Sequence, residues 1–340
     1  MSLRAAIEAR CNALWYAEAP PPATLRPLAA LYGRIADRRA ARQRAAVEAL
    51  PLPVVVVGNI TAGGAGKTPL CIELVERARA RGLRPGVVSR GYGRAGAAPV
   101  FVRADSDPGA VGDEPLLIAR RTGAPVCVAR DRRRAVQQLA ERGDVDFVIA
   151  DDGLQHYRMP RVAELCVVDG RRGLGNGWRL PAGPLREPEA RLAACDLVAI
   201  NGTGERGEAL RAAHNGARFD LVLDEALALT DDRRMPLSAF NGQRVHATAG
   251  IGDPERFFTA LREAGLDVVA HPLADHEAVP DAVLAAAGDA PLLMTEKDAV
   301  KLPPERAAGR ACFAVAARLQ WASDGAARID GLLTRIALRA

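Results

Sequence analysis

The sequence predicts an α/β protein: a parallel sheet flanked by helices, followed by a second, smaller α/β domain. Three observations carry this. Short apolar runs at 54–57, 86–89, 126–128, 147–150, 165–168 and 197–200 alternate with helical stretches, as in βαβ units that build a sheet covered on both faces. The run 54–57 is four consecutive valines, β-branched and without polar alternation, as suits a central strand with no exposed face. That strand enters a glycine-rich turn closed by Gly66-Lys67-Thr68, where backbone N–H groups can cradle phosphate oxygens at the start of a helix. The layout is that of a P-loop, so the sheet is expected to be of the P-loop NTPase type.

Taken in order, the elements divide as follows. At 340 residues the chain exceeds the size at which one core usually stops growing, so two domains are expected. Residues 1–45 read as amphipathic helices. Leu3, Ile7, Cys11, Leu14 and Trp15 fall at helical spacing, Pro20-Pro21-Pro22 interrupts, and Leu25, Leu28, Leu31, Tyr32 and Ile35 resume the stripe. Arg34, Arg38, Arg39, Arg42 and Arg44 follow. Such helices either lie on an anionic membrane surface, with Trp15 and Tyr16 at headgroup depth, or pack on the body of the protein; periodicity fits both. Residues 46–215 form the P-loop core, within which 170–188, rich in glycine, proline and arginine, reads as a long functional loop. A linker is placed at 216–240, where polar residues lead into an alternating run at 221–229. Residues 241–327 form the second α/β domain, with strands near 244–249, 268–270, 292–295 and 312–315 and a helix over 254–264. A C-terminal helix is expected at 328–340.

The chemistry concentrates in a few segments. Asn59, Thr61, Gly63, Gly64, Ala65 and Gly66 would line the nucleotide, Lys67 would reach the β- and γ-phosphates, and Thr68 would hold Mg²⁺. The common pattern has glycine where Thr61 stands, but the strand before the turn and Pro69 in the first helical turn keep the motif against an ordinary glycine-rich connection. Of 46 basic residues only Lys67, Lys297 and Lys301 are lysine, so the ammonium in the turn marks a place where a compact cation is wanted. The apolar run ending in Asp151-Asp152-Gly153 puts carboxylates at the end of a parallel strand, beside the phosphate turn, where they can coordinate Mg²⁺; Asp-Asp-Gly is also an ordinary turn. Asp113-Glu114 suits a helix start, where acids complement the dipole, and equally a general base that accepts a hydroxyl proton. His156, His276, Tyr92 in Arg90-Gly91-Tyr92-Gly93-Arg94, and Arg186 offer further polar groups on loops, though single histidines and arginines are more often structural.

Composition narrows the partners. A hydrophobic content of 49% indicates a folded body, and six cysteines in no paired or metal-type spacing indicate a reducing compartment. The net charge of +5 suits anionic partners, but aromatics are 4% and do not interleave with the basic clusters, so no nucleic acid is expected. No run is long and apolar enough for a spanning helix, and no secretory signal opens the chain.

Several segments together resemble one family. Gly58-Asn59-Ile60-Thr61-Ala62-Gly63-Gly64-Ala65-Gly66-Lys67-Thr68-Pro69 is similar to the variant P-loop of the tetraacyldisaccharide 4′-kinases, the lipid A 4′-kinases, in which the first glycine is commonly replaced. Further matches run in order through Ser89-Arg90-Gly91-Tyr92-Gly93-Arg94, Gly112-Asp113-Glu114-Pro115, Asp151-Asp152-Gly153-Leu154-Gln155-His156, Leu180-Pro181-Ala182-Gly183-Pro184-Leu185-Arg186-Glu187-Pro188, Gly250-Ile251-Gly252-Asp253-Pro254 and Thr295-Glu296-Lys297-Asp298-Ala299-Val300-Lys301. The resemblance implies two α/β domains joined by a β-ribbon, the second closing over the active site, and a peripheral enzyme at the cytoplasmic face of the bacterial inner membrane. It implies ATP- and Mg²⁺-dependent phosphorylation of the 4′-hydroxyl of a lipid-anchored tetraacylated disaccharide 1-phosphate, giving lipid IVA. By the same resemblance Asp113 and His276 would form a catalytic pair with Lys67 on the phosphate. Thr68, Asp151, Asp152 and Glu114 would serve the metal, and Tyr92, Gln155, His156 and Arg186 the substrate. Two other readings stay open on the core motifs alone: a P-loop kinase or ligase acting on a soluble metabolite, and a nucleotide-switched binding protein. The segment 295–298 also resembles the base-reading stretch of P-loop GTPases, or is simply a strand end running into a charged helix start.

Overall fold

In the computed structural model, residues 3–91, 94, 96–231, 233–275, 277–322 and 324–338 are described. The strands are β1 Val54–Gly58, β2 Pro85–Ser89, β3 Val100–Val102, β4 Val126–Val128, β5 Phe147–Ala150, β6 Ala163–Asp169, β7 Leu197–Asn201, β8 Ala217–Ala228, β9 Arg234–Pro236, β10 Arg244–Ala249, β11 Asp267–Pro272, β12 Leu292–Thr295 and β13 Cys312–Trp321. They form one sheet in the order β11-β10-β12-β13-β8-β7-β6-β1-β5-β2-β4-β3, with β9 beside β8. The apolar runs named above each become a strand, and two three-residue strands, the apolar β3 and the polar-flanked β9, are added by pairing with β4 and β8.

The four valines of β1 explain the two-sided cover. Val55 and Val57 pack in one core with Leu70, Leu74 and Val75 of the helix Lys67–Ala80. Val54 and Val56 pack in another with Val136 and Leu139 of the helix Arg132–Glu141. Successive strand residues face opposite sides, so a strand with helices on both faces needs apolar residues at every position. The helix Gly325–Ala337 returns to this first half, where Ile329, Leu332, Leu333 and Ile336 join the core of Val55. In the second half β12 divides in the same way, Leu293 to one core and Leu292 and Met294 to the other.

The two halves are bridged by one long antiparallel pair. β8 and β13 run together from Phe219↔Trp321 to Ala228↔Phe313, with a register shift between Ala316 and Ala317. One end of β8 continues the first half by pairing with β7, and the start of β13 continues the second by pairing with β12. This is the ribbon expected from the resemblance, with its second strand supplied by residues that the sequence reading assigned to the second domain.

At the N-terminus the helices Leu3–Trp15 and Arg26–Ala45 lie on the 170–188 loop. Trp15 Nε1 donates to Pro181 O at 2.9 Å, Asn176 N donates to Trp15 O at 2.8 Å, and Arg179 pairs with Asp37 at 2.7 Å. Among the described residues no helix is long and apolar enough to cross a membrane.

Candidate active site

The C-terminal ends of β1, β5, β2, β6 and β7 meet at one edge of the sheet, the crevice where open α/β sheets bind ligands. The turn after β1 is held from several sides. Asn59, fully buried, donates to Gly63 O at 3.2 Å and accepts from Lys67 Nζ at 3.3 Å. Gly66 has φ 96°, and a Cβ there would fall 2.5 Å from Asn201 Nδ2, so both conformation and space require glycine. Thr61 sits in an antiparallel bridge with Leu185, flanked by Ala62 N to Pro184 O at 2.8 Å and Arg186 N to Ile60 O at 2.7 Å. The backbone at Thr61 has no positive φ, which is why a β-branched residue stands where the common motif has glycine. Gly64 and Ala65 complete the turn, Ala65 O accepting from Asn201 Nδ2 at 3.0 Å, and Thr68 takes the first turn of the helix Lys67–Ala80.

Asp151 and Asp152 follow β5, next to both β1 and β2. Asp151 is buried, accepts from Ser89 Oγ at 3.1 Å and faces Cys71 Sγ at 3.8 Å. Burial, with the nearby charges of Glu114 and Asp152, pushes its carboxyl up to about 7 despite Lys67. Asp152 behaves oppositely. Burial works against its charge, but Lys67 at 3.4 Å, Arg186 at 3.4 Å and Arg132 outweigh it and hold the carboxyl well below the usual range. Its φ is 48°, and Arg132 donates to its carbonyl at 2.9 Å.

Asp113 and Glu114 open the helix Asp113–Thr122. Glu114 reaches Lys297 Nζ at 3.5 Å, and Lys297 also pairs with Asp275 at 3.0 Å. His276 and Tyr92 lie outside the described residues. Gln155 donates to Asn59 O at 3.0 Å and to Glu187 at 2.8 Å and faces Arg186 at 3.4 Å, so it ties the P-loop to the 170–188 loop. The His156 ring lies 3.6 Å from Asp131, and burial with the charge of Arg132 pushes its imidazole down to about 4.

The family model for tetraacyldisaccharide-1-P 4′-kinase (LpxK) matches residues 22–336. The chain belongs to that family. The tetraacyldisaccharide 4′-kinase of Stenotrophomonas maltophilia (strain R551-3) is 51% identical over 293 residues, 84% of this chain and 86% of that protein. Its counterpart in Pseudomonas aeruginosa (strain LESB58) is 48% identical over 297 residues, 86% and 88% of the two chains. The crystal structure of LpxK from Aquifex aeolicus in complex with ATP agrees with a TM-score of 0.74 at 25% identity, covering 92% of this chain and 98% of that one. This chain is therefore a kinase of lipid A biosynthesis.

Residues that the sequence reading passed over also hold the phosphate turn. Asn201, ending β7, receives a hydrogen bond from Arg256 at 2.7 Å while holding Ala65 O, so a helix of the second half steadies the phosphate turn. Gly252 approaches the turn as well, since a Cβ there would lie 3.5 Å from Gly64 N. Asn201 and Ser89 carry the signal that marked Asp151, a polar residue closing an apolar parallel strand. Nothing in the local sequence marks Arg256. The oxygen donors at hand for Mg²⁺ are Thr68, Asp151, Asp152 and Glu114, and the carboxyl of Asp151 is raised first by burial and then by the charges of Glu114 and Asp152. Mg²⁺ commonly takes one or two protein carboxylates and fills its other positions with water and phosphate, which fits these donors.

Proposed function

We propose that this kinase transfers the γ-phosphate of ATP to the 4′-hydroxyl of a lipid-anchored tetraacylated glucosamine disaccharide 1-phosphate, giving lipid IVA, at the cytoplasmic face of the inner membrane. The observation that carries the reading is the pairing of Lys67 with Asp152 beneath the glycine-rich turn, in a chain of this family. In this reading Asn59, Thr61, Gly63, Gly64, Ala65 and Gly66 present the turn to the phosphates, and Lys67 exchanges its contact with Asp152 for phosphate oxygens, stabilising charge that develops in transfer. Asp113 accepts the proton of the sugar hydroxyl and His276 tunes it. Gln155 and Arg186 shape the acceptor side with Tyr92 and His156. Bound Mg²⁺, held by Thr68 and the acids Asp151, Asp152 and Glu114, would supply neutralising charge to the phosphates.

The division into a core at 46–215 and a closing unit at 241–327 belongs to the same proposal. Supporting it are the separate hydrophobic clusters of the two halves and the polar contacts Arg256 to Asn201 and Lys297 to Glu114 across the crevice. Membrane attachment is supported by the helix Arg26–Ala45, which buries Ala29 and Gly33 and exposes Leu28, Leu31 and Ile35 beside Arg38, Arg39 and Arg42.

The test is incubation with γ-labelled ATP, Mg²⁺ and the tetraacylated disaccharide 1-phosphate in mixed micelles. Labelled lipid IVA is the expected product. Folded protein that labels no lipid, or that labels a disaccharide lacking the 4′-hydroxyl equally well, would refute the reading.

A further inference from the structure

The segment Thr295-Glu296-Lys297-Asp298 is engaged within the protein. Thr295 caps the short helix Glu296–Ala299, accepting from Asp298 N at 3.2 Å. The buried Asp298 accepts from Gly250 N at 2.9 Å and pairs with Lys301 at 2.8 Å. Glu296 crosses to the first half and pairs with Arg121 at 2.5 Å. These contacts build a rigid platform at the end of β12, and from it Lys297 reaches the acids of the crevice.

The ammonium of Lys297 lies 3.0 Å from Asp275 Oδ1 and 3.5 Å from Glu114 Oε1, on a side chain only 16% exposed. Burial alone would push its charge off, and Glu114, Asp275 and Asp113 more than offset that. Glu114 belongs to the first half and Asp275 to the second. Each stands one residue from a member of the acid–base pair proposed above, Glu114 next to Asp113 and Asp275 next to His276.

The geometry points to Lys297 as a positioning residue for the transfer step: one ammonium that ties the helix start at Glu114, the neighbour of Asp113, to Asp275 of the second half. The inference rests on the reading of Asp113 as general base. The residue type fits the task. A guanidinium fork matches one planar carboxylate, whereas an ammonium with three rotatable donors can serve two carboxylates from different elements. The chain's other two lysines are also held by oxygens at more than one point, Lys67 by Asp152 and the Asn59 amide, Lys301 by Asp298 and the Glu277 carbonyl, with side chains 12% and 6% exposed. Without the ammonium, Glu114 and Asp275 would face each other across the crevice as like charges, and the helix start that carries Asp113 would lose its tie to the second half.

The experiment measures kcat and the KM for ATP in Lys297→Met, Lys297→Arg, Asp113→Asn and the double variant Asp113→Asn with Lys297→Met. Lys297→Met should lower kcat by about 10- to 100-fold, the usual size for a supporting residue behind a reacting group, and leave the KM for ATP nearly unchanged. Lys297→Arg should recover part of that loss because it keeps the charge. In the Asp113→Asn background, Lys297→Met should cost little more, since a base that is gone cannot be misplaced. Losses that multiply independently, a defect confined to the KM for ATP, or wild-type kcat in Lys297→Met would each overturn the positioning role. Normal kcat in Asp113→Asn would instead bring down the general-base reading itself, and this inference with it. Should Lys297→Met fail to fold, Asp275→Asn removes the nearer partner with almost no change of volume; the same loss in kcat is expected, and an unchanged kcat would overturn the proposal.

Discussion

Lys67 stands where three demands meet: it lies in the field of Asp152, donates to Asn59, and in the proposed transfer must still turn toward phosphate. Replacing it with alanine should abolish most turnover while leaving the melting temperature close to wild type, because it lies at the crevice and not in a core. Lys67→Arg should fail as well, since a planar fork cannot occupy the narrow space between Asn59 and Asp152. Near-normal rates at saturating ATP in either variant would remove Lys67 from the chemistry. His156 offers a different test, through acid stability. Its imidazole is held at about 4 in the folded protein against an ordinary 6.5, so the unfolded chain binds the extra proton first as the pH falls. The folded state therefore loses stability from about pH 6.5 down through about pH 4, by at most about 3 kcal/mol for a shift of that size. Asp151, raised to about 7, works in the opposite sense, its stabilisation being lost as pH rises toward 7. The difference between wild type and His156→Asn in urea midpoints across pH 4 to 7 isolates the histidine. It should grow steadily with pH, and a flat difference would mean that His156 is not held neutral by its surroundings.

Among elements, the phosphate turn is steadied from β7 and from the second half, as well as by its own glycines. Asn201 gives its amide hydrogen to Ala65 O and its carbonyl to Arg256. Asn201→Ala would leave Ala65 O unpaired and free the turn, and the loss of a buried hydrogen bond of this kind is worth about 1 kcal/mol or more. An increase of about tenfold in the KM for ATP is expected, with a smaller change in kcat. Asn201→Asp keeps the partner of Arg256 but sets a carboxylate against the Ala65 carbonyl, so it should be at least as damaging. If both variants bind ATP normally and only melt earlier, the link between Arg256 and the turn is structural and does not reach the nucleotide.

For the whole molecule, the proposed membrane contact turns on one face of the helix Arg26–Ala45. Leu28, Leu31 and Ile35 share one face of the helix Arg26–Ala45, with Leu31 54% and Ile35 58% exposed, and Arg38, Arg39 and Arg42 continue beyond them. The N-terminal helix is a poor choice for deletion, because Trp15 is fastened to the 170–188 loop that carries Arg186. Substituting Leu31 and Ile35 together by glutamate touches only the exposed face. That variant should leave anionic vesicles in a flotation assay and show a raised KM for vesicle-embedded acceptor at unchanged KM for ATP. Each arginine near an anionic surface contributes about 1 kcal/mol, so binding of the wild type should weaken as salt is added. Unaltered flotation of the double glutamate variant would move the membrane contact elsewhere on the surface.

What the sequence determined by itself is whatever is written in contiguous residues. The valines of β1, the turn from Asn59 to Thr68 and the Asp151-Asp152 ending of β5 are local patterns, because a strand buried on both faces, a phosphate cradle and a strand-end carboxylate each need particular residues side by side. The tertiary structure decided what depends on residues far apart in the chain. Thr61 replaces glycine because its backbone is bridged to Leu185, more than a hundred positions away. The linker became half of a ribbon whose other strand, β13, lies at the far end of the second half. Arg256 reaches the phosphate turn through Asn201, and Lys297 joins Glu114 to Asp275, by contacts that exist only once the sheet has brought the two halves together. Such pairings leave no periodicity and no spacing in the chain, because the groups that meet are set by strand order in the sheet and not by separation along the sequence.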